Sequence, residues 1–333
     1  EEVSARVEDD CFFFKVSSYL SPGEVFKFQF HVQEERQSGN IGELTSIKKI
    51  SPANFNPEDF VTNQVFYESK DGTRVPMFLT HRKDIQPSKN HATILYGYGG
   101  FNIAVTPVFS ASRLMWLQNF NGIFAVANIR GGSEYGQAWY EAGIKDKKQN
   151  VFDDFISAGE YLIEEKLTNP EKLAIQGGSN GGLLVSACAN QKPELFGCVL
   201  CHVGVLDMLR FHKSTIGHAW MSDYGNPEEE NGFSALIRYS PLHTIPVTNR
   251  YPSTLLLTAD HDDRVSPWHS LKFIAQLQAS VGSQSEQINP LLIRVDTNAG
   301  HGAGKPTAKL IQEAADLYSF VAQSLGVRFK SKQ

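Results

Sequence analysis

Apolar and polar positions follow one spacing up to about residue 48 and another beyond it. In the first stretch, 11–17 and 24–32 are apolar or alternate with polar residues. Ser21, Pro22 and Gly23 stand between them as a turn, and this pattern predicts a β-hairpin. Two strands alone are marginal in water, so the piece is expected to pack on something else. The polar run at 34–40 reads as a loop, and 52–58 as a linker or entry loop.

From about residue 61, short apolar runs alternate with helical spacing. Residues 64–68 and 75–80 flank Asp71 and Gly72, a tight-turn pair, and predict a second hairpin. Residues 92–96, 123–128, 198–203, 254–258 and 291–296 read as strands, and 172–176 as a strand running into a glycine-rich turn. Helices are predicted over 152–164, with a face of Phe152, Phe155, Ile156, Tyr161, Leu162 and Ile163, and over 181–190, 266–281 and 307–325. Pro267 near the first turn suits the start of the third of these. Strands separated by helices predict an α/β fold, a mostly parallel sheet covered by helices on both faces. No internal repeat of solenoid period interrupts it.

Composition narrows the function classes. The 333 residues, 41% hydrophobic and 20% charged, are enough to bury a large core. The net charge is −5 and no basic stripe stands out, so neither nucleic acid nor an anionic membrane is an expected partner. No apolar run approaches the length of a membrane span. The acidic residues 1–10 do not resemble a signal peptide, and the lack of an initiator Met suggests a sequence that starts within a longer protein. Four cysteines are too few for a disulfide scaffold. Cys198 and Cys201 form C-x-x-C inside a predicted strand, with no second pair to complete a metal site, and are read as reduced core thiols of a reducing compartment.

Chemistry concentrates around Ser179. Gly177, Gly178, Ser179, Asn180 and Gly181 spell G-x-S-x-G, with an apolar strand before it and a helix after. That context defines a nucleophile elbow, where a strained turn needs small neighbours and the helix N-terminus faces developing negative charge. A base and an acid are then expected further along the chain, in the order serine, acid, histidine. Of the ten histidines, His269 and His301 follow the acidic strand end at 259–263. His269 falls within a predicted helix and reads as structural. His301 lies in a flexible glycine-rich loop between the last strand and the last helix, the fold's place for a base. The acid is Asp260, Asp262 or Asp263; residue types alone leave all three open. The loop from Tyr96 to Phe101, rich in glycine, suits a second oxyanion donor, and a tyrosine hydroxyl can serve. Gly300 to Lys305 fails as a P-loop, because Pro306 stands where Ser or Thr is needed.

These segments together resemble the prolyl oligopeptidase family. The resemblance rests on 96–102 (YGYGGFN), 128–132 (NIRGG), 177–182 (GGSNGG), 258–265 (TADHDDRV) and 299–306 (AGHGAGKP), and runs along nearly the whole chain. It implies an α/β-hydrolase fold preceded by a short all-β remnant of a β-propeller, with 1–48 the last propeller strands and 49–333 the catalytic domain. It implies a triad of Ser179, Asp262 and His301, and an oxyanion hole from the Tyr98 hydroxyl and the Asn180 main-chain N–H. It implies a proline pocket in which Trp220 stacks on the ring, Phe101, Val205, Tyr224 and Val265 form apolar walls, and Arg264 binds the carbonyl of the preceding residue. The implied activity is a cytoplasmic, monomeric serine endopeptidase cutting short peptides after proline, with neither metal nor cofactor and normally with its own propeller. Two alternatives stay open, a peptide macrocyclase of the same family and a catalytically silent interaction module. The departures are the scant propeller and Ser133, which stands where relatives often have a third glycine.

Overall fold

The computed structural model describes residues 2–31, 41–248, 250–302 and 304–331. Its first element is an antiparallel sheet of four strands in sequential order, β1 (Glu2–Ala5), β2 (Cys11–Val16), β3 (Gly23–Phe30) and β4 (Gly42–Ile50). The expected hairpin is β2–β3, where Phe12 pairs with Phe28 and Phe14 with Phe26. Their rings lie 5.3 and 5.4 Å apart on one face, the cross-strand aromatic contact that stabilises sheets. Two further strands correct the sequence reading. β1 is only four residues long, and its Val3, Ser4 and Ala5 are exposed. β4 carries a bulge: Val25 pairs with Lys48 and Phe26 with Ser46, so Ile47 is an extra residue that breaks the period-two pattern. The loop expected at 34–40 lies outside the described residues.

Eight strands form the second sheet: β5 (Phe60–Glu68), β6 (Arg74–Arg82), β7 (Thr93–Tyr96), β8 (Ile123–Ala127), β9 (Leu173–Gly178), β10 (Cys198–His202), β11 (Ser253–Ala259) and β12 (Leu291–Asp296). Their spatial order is β12-β11-β10-β9-β7-β8-β6-β5. β7 to β12 run parallel, and β6 and β5 add an antiparallel edge. The helices are α1 (Ala111–Asn119), α2 (Gln137–Glu141), α3 (Gln149–Glu164), α4 (Asn180–Gln191), α5 (Met221–Tyr224), α6 (Glu230–Leu236), α7 (Trp268–Ser280) and α8 (Thr307–Ser324). Sequence spacing did not reveal α1, α2, α5 or α6, whose short or mixed runs lack a sustained apolar face.

Alternation along each parallel strand builds two cores. Leu95, Ile175, Val199 and Leu256 pack under α3, α4 and α7 with Phe152, Phe155, Leu184 and Phe273. Their neighbours Ile94, Ala174, Leu200 and Leu255 face the other way, onto Leu114 and Trp116 of α1 and Leu317, Tyr318 and Val321 of α8. The same period separates Cys198 from Cys201: three residues apart on β10, they enter opposite cores and cannot meet on one metal or in one disulfide. Burial pushes the Cys198 thiol up to about 12 and that of Cys201 to about 11. The two sheets are joined by Tyr19, from the β2–β3 connection, which is 2% exposed and lies edge-on to Phe78 and Phe124 in the second core. The guanidinium of Arg113 covers both Tyr19 and Phe124.

Candidate active site

Because β7, β9, β11 and β12 are parallel, the segments following them emerge on one edge of the sheet. Tyr98 comes two residues after β7, Ser179 directly after β9, Asp262 three after β11 and His301 five after β12. Chain order reverses at β7, which has β8 on one side and β9 on the other, so a crevice opens there. A cavity of about 930 Å³ lined by Pro170, Lys172, Gly197, Pro252 and Asn289 sits at the opposite edge, where the strands begin, and takes no part in this arrangement.

Ser179 has φ 57° and ψ −115°, the sharp turn between β9 and α4. Crowding explains the flanking glycines. A Cβ at Gly177 would come within 2.2 Å of the Gly181 carbonyl oxygen, and one at Gly181 within 2.7 Å of that of Gly97. Gly178 is different: its nearest neighbour, His202 Cβ, would be at an ordinary 3.6 Å.

The three candidate acids separate by their partners. Asp262 Oδ2 lies 2.7 Å from His301 Nδ1, and its Oδ1 accepts the main-chain N–H groups of Arg264 and Val265 at 3.0 and 2.9 Å. Its side chain is fully buried. Asp260 instead engages the Nδ1 of its neighbour His261 at 2.7 Å, a contact that draws its carboxyl down to about 2, and Asp263 is exposed. The loop carrying His301 is tied at its far end, where Lys305 bridges Asp296 at 3.3 Å and Glu313 at 2.5 Å. That lysine is therefore a structural anchor of the motif.

Tyr98 is partly buried, and desolvation pushes its phenol up to about 12, with Tyr96 and Asp223 adding to the shift, so its hydroxyl remains a donor at neutral pH. Asn180 is the first residue of α4, where main-chain N–H groups have no helical acceptor.

The aromatic residues among those expected in the pocket form one cluster. Phe101 meets Tyr224 edge-on at 5.3 Å, Tyr224 meets Phe211 at 5.3 Å, and Phe211 lies parallel to Trp220 at 6.3 Å. The Val205 N–H donates to the Ser179 carbonyl at 3.4 Å, which sets this wall beside the elbow. Trp220, Val205, Tyr224 and Val265 are all buried, Phe101 partly so, and Arg264 is exposed. Phe211 was not legible in the sequence, since it lies in a short irregular turn. Arg130, from the 128–132 motif, does not join the site. It binds Asp154 on α3 at 2.7 Å and Asp71 in the β5–β6 turn at 2.6 Å. Sequence reasoning also passed over Lys148 and Asp223, which lie buried behind the Tyr98 loop. Lys148 follows two other lysines and an aspartate, with nothing local to mark it.

Fold and site together define an α/β-hydrolase with a serine elbow, a buried aspartate–histidine pair and a tyrosine-bearing loop at one sheet edge. Residues 107–328 match the prolyl oligopeptidase family. The chain belongs to that family. It is 50% identical to prolyl oligopeptidase A of Galerina marginata, over 98% of this chain and 43% of that protein. It is 49% identical to the prolyl endopeptidase of Dictyostelium discoideum, over 98% of this chain and 42% of that protein. Among solved structures it resembles prolyl oligopeptidase B from Galerina marginata bound to a 35mer hydrolysis and macrocyclization substrate, with TM-score 0.91 and 40% identity, covering 99% of this chain and 45% of that one. The chain thus spans less than half the length of these relatives.

Proposed function

We propose that this chain is the catalytic part of a serine endopeptidase that cleaves short peptides on the carboxyl side of proline. The observation that carries the reading is the 2.7 Å pairing of His301 with a buried Asp262, on the edge that also bears the Ser179 elbow. In this reading Ser179 Oγ attacks the scissile carbonyl and His301 takes its proton. Asp262 holds the imidazole in one tautomer and stabilises the imidazolium. The Tyr98 hydroxyl and the Asn180 N–H bind the oxyanion. His301 then protonates the leaving amine, and water, activated by the same base, releases the acyl group. No metal or organic cofactor enters this chemistry. The flat indole of Trp220 is the floor for the rigid apolar pyrrolidine ring, Phe101, Val205, Tyr224 and Val265 are the walls, and Arg264 receives the preceding carbonyl.

Residues 1–48 are read as the last strands of a β-propeller and 49–333 as the catalytic unit; a division at 48 falls two residues before the end of β4. A reducing compartment, the cytoplasm, suits the four free thiols, three of them buried. Within the described residues no helix is long and apolar enough to cross a membrane. Peptides, rather than nucleic acid or membrane, are the partners of a monomeric enzyme on this reading.

A second reading is macrocyclisation, in which the substrate's own amine captures the acyl group. It draws support from the likeness to the Galerina prolyl oligopeptidase B bound to a macrocyclization substrate. Labelling the intact protein with a fluorophosphonate probe tests the nucleophile, with Ser179→Ala as control. Product masses from a long proline-containing peptide then separate the readings. Hydrolysis adds one water across the products, and cyclisation yields a ring without it. An unlabelled, inactive wild type would return the protein to the class of silent interaction modules.

A further inference from the structure

The loop after β7 is held in a conformation that it would not keep alone. Phe101 and Asn102, neither of them glycine, both adopt positive φ, 57° and 56°. Three side chains from three other elements fix its backbone. Asn180 Nδ2, at the start of α4, donates to the Tyr98 carbonyl oxygen at 2.6 Å. Lys148 Nζ, at the head of α3, donates to that of Gly99 at 2.8 Å. The Phe101 N–H donates to Asp223 Oδ2, on α5, at 2.9 Å.

These holders are joined to each other and closed to water. Asn180 Oδ1 accepts from Lys148 Nζ at 3.2 Å and from the Tyr224 hydroxyl at 3.0 Å. Lys148 Nζ lies 3.8 Å from Asp223 Oδ1. Lys148, Asn180 and Tyr224 are each 1% exposed, and Asp223 is fully buried. An ammonium and a carboxylate out of water are costly to keep unless they are paired. Space is equally tight: a Cβ on Gly100 would come within 2.6 Å of Asn180 Nδ2. Asn180 therefore reaches the site twice. Its main-chain N–H stands beside the nucleophile, and its side chain grips the backbone of the residue that carries the other donor.

We infer that Lys148, Asp223 and the Asn180 side chain are positioning residues that lock the Tyr98 loop to the start of α4, so that the two oxyanion donors are held as one unit. The inference rests on the reading of Tyr98 and the Asn180 N–H as the oxyanion hole. It assigns a task to the Asn180 side chain that is separate from that of its main chain. It also gives a reason for burying a lysine beside a serine hydrolase site without any contact with substrate.

The test is a double-mutant cycle in the intact protein, with kcat and KM measured on a prolyl anilide peptide. Asn180→Ala keeps the main-chain donor and removes the grip on Tyr98, and Tyr98→Phe removes the hydroxyl. Each single variant is expected to lower kcat by on the order of 10- to 100-fold with KM changed by less than about threefold. The double variant is expected to fall no more than about threefold below the worse single one, because the grip acts through the hydroxyl. Lys148→Met should show the same non-additivity with Tyr98→Phe. If Asn180→Ala does not fold, Asn180→Asp serves; it keeps an acceptor for Lys148 and Tyr224 and replaces the donor to Tyr98 by a carboxylate oxygen that repels that carbonyl. Losses that multiply fully in the double variant, in a protein that melts like the wild type, would overturn the positioning role and leave the oxyanion hole standing. An unchanged kcat in Tyr98→Phe alone would overturn the hole assignment, and this inference with it.

Discussion

His301 Nδ1 lies 2.7 Å from Asp262 Oδ2, and the carboxylate's other oxygen is held by the Arg264 and Val265 N–H groups. The acid is thus oriented from both sides, while Asp263 next to it faces solvent. Asp262→Asn removes the charge that supports the imidazolium and reverses the tautomer preference of His301. kcat should fall by roughly 10⁴, the scale of the same change in other serine triads. Asp263→Asn should stay within about twofold of wild type, as expected of a surface position. Steady-state kinetics on both variants decides between them, and the reverse order of effects would remove Asp262 from the triad.

Ser179→Ala should abolish turnover, by on the order of 10³-fold or more, while leaving the melting temperature near that of wild type. The Cβ is kept, and only the hydroxyl is lost. A folded variant that still cleaves a post-proline reporter at a near-normal rate would show that the nucleophile lies elsewhere.

Proline selectivity should depend on Trp220. Truncation to alanine removes ring stacking worth about 0.5–1.5 kcal/mol beyond area burial and opens the pocket floor. The ratio of kcat/KM for proline over alanine at the cleavage position should therefore fall by at least about twofold, the lower end of that energy range. An unchanged ratio would make Trp220, which packs parallel to Phe211, an ordinary core residue.

His269 sets a pH limit on stability. It is 1% exposed, and its Nδ1 accepts the N–H groups of Leu206 and Asp207 at 3.3 and 3.0 Å. Burial lowers its pKa to about 3, against the pull of Asp207. A second proton would set N–H against N–H. The folded pKa lies below the unfolded one, so between them the unfolded chain holds the extra proton. This contribution is fully present above about pH 6.5 and is lost as pH falls toward the folded value, by about 2 kcal/mol at about pH 5. Denaturant melts of wild type and His269→Asn at both pH values check this. The variant, less stable overall because of its smaller side chain, should lose less on acidification, and equal losses would contradict the assignment.

The elbow, the alternation of strands with helices and the position of the histidine loop were readable along the chain because each is local. A G-x-S-x-G between an apolar strand and a helix is confined to a few residues, and its crowding shows in Gly177 and Gly181. The strand period also decided the fate of Cys198 and Cys201, since residues an odd number apart on a strand face opposite sides. Family resemblance singled out Asp262, and only the fold gave the physical ground for it, because a carboxylate's role depends on what arrives beside it from 39 residues away. β4 escaped notice because a bulge at Ile47 erased its period. Tyr19 stands between the two predicted hairpin strands with no local pattern to mark it, and its burial against Phe124 depends on where α1 and β8 meet. Lys148 and Asp223 were least visible of all: 75 residues apart, each ordinary in its own segment, they acquire a function only once α3, α4 and α5 converge on the backbone of the Tyr98 loop.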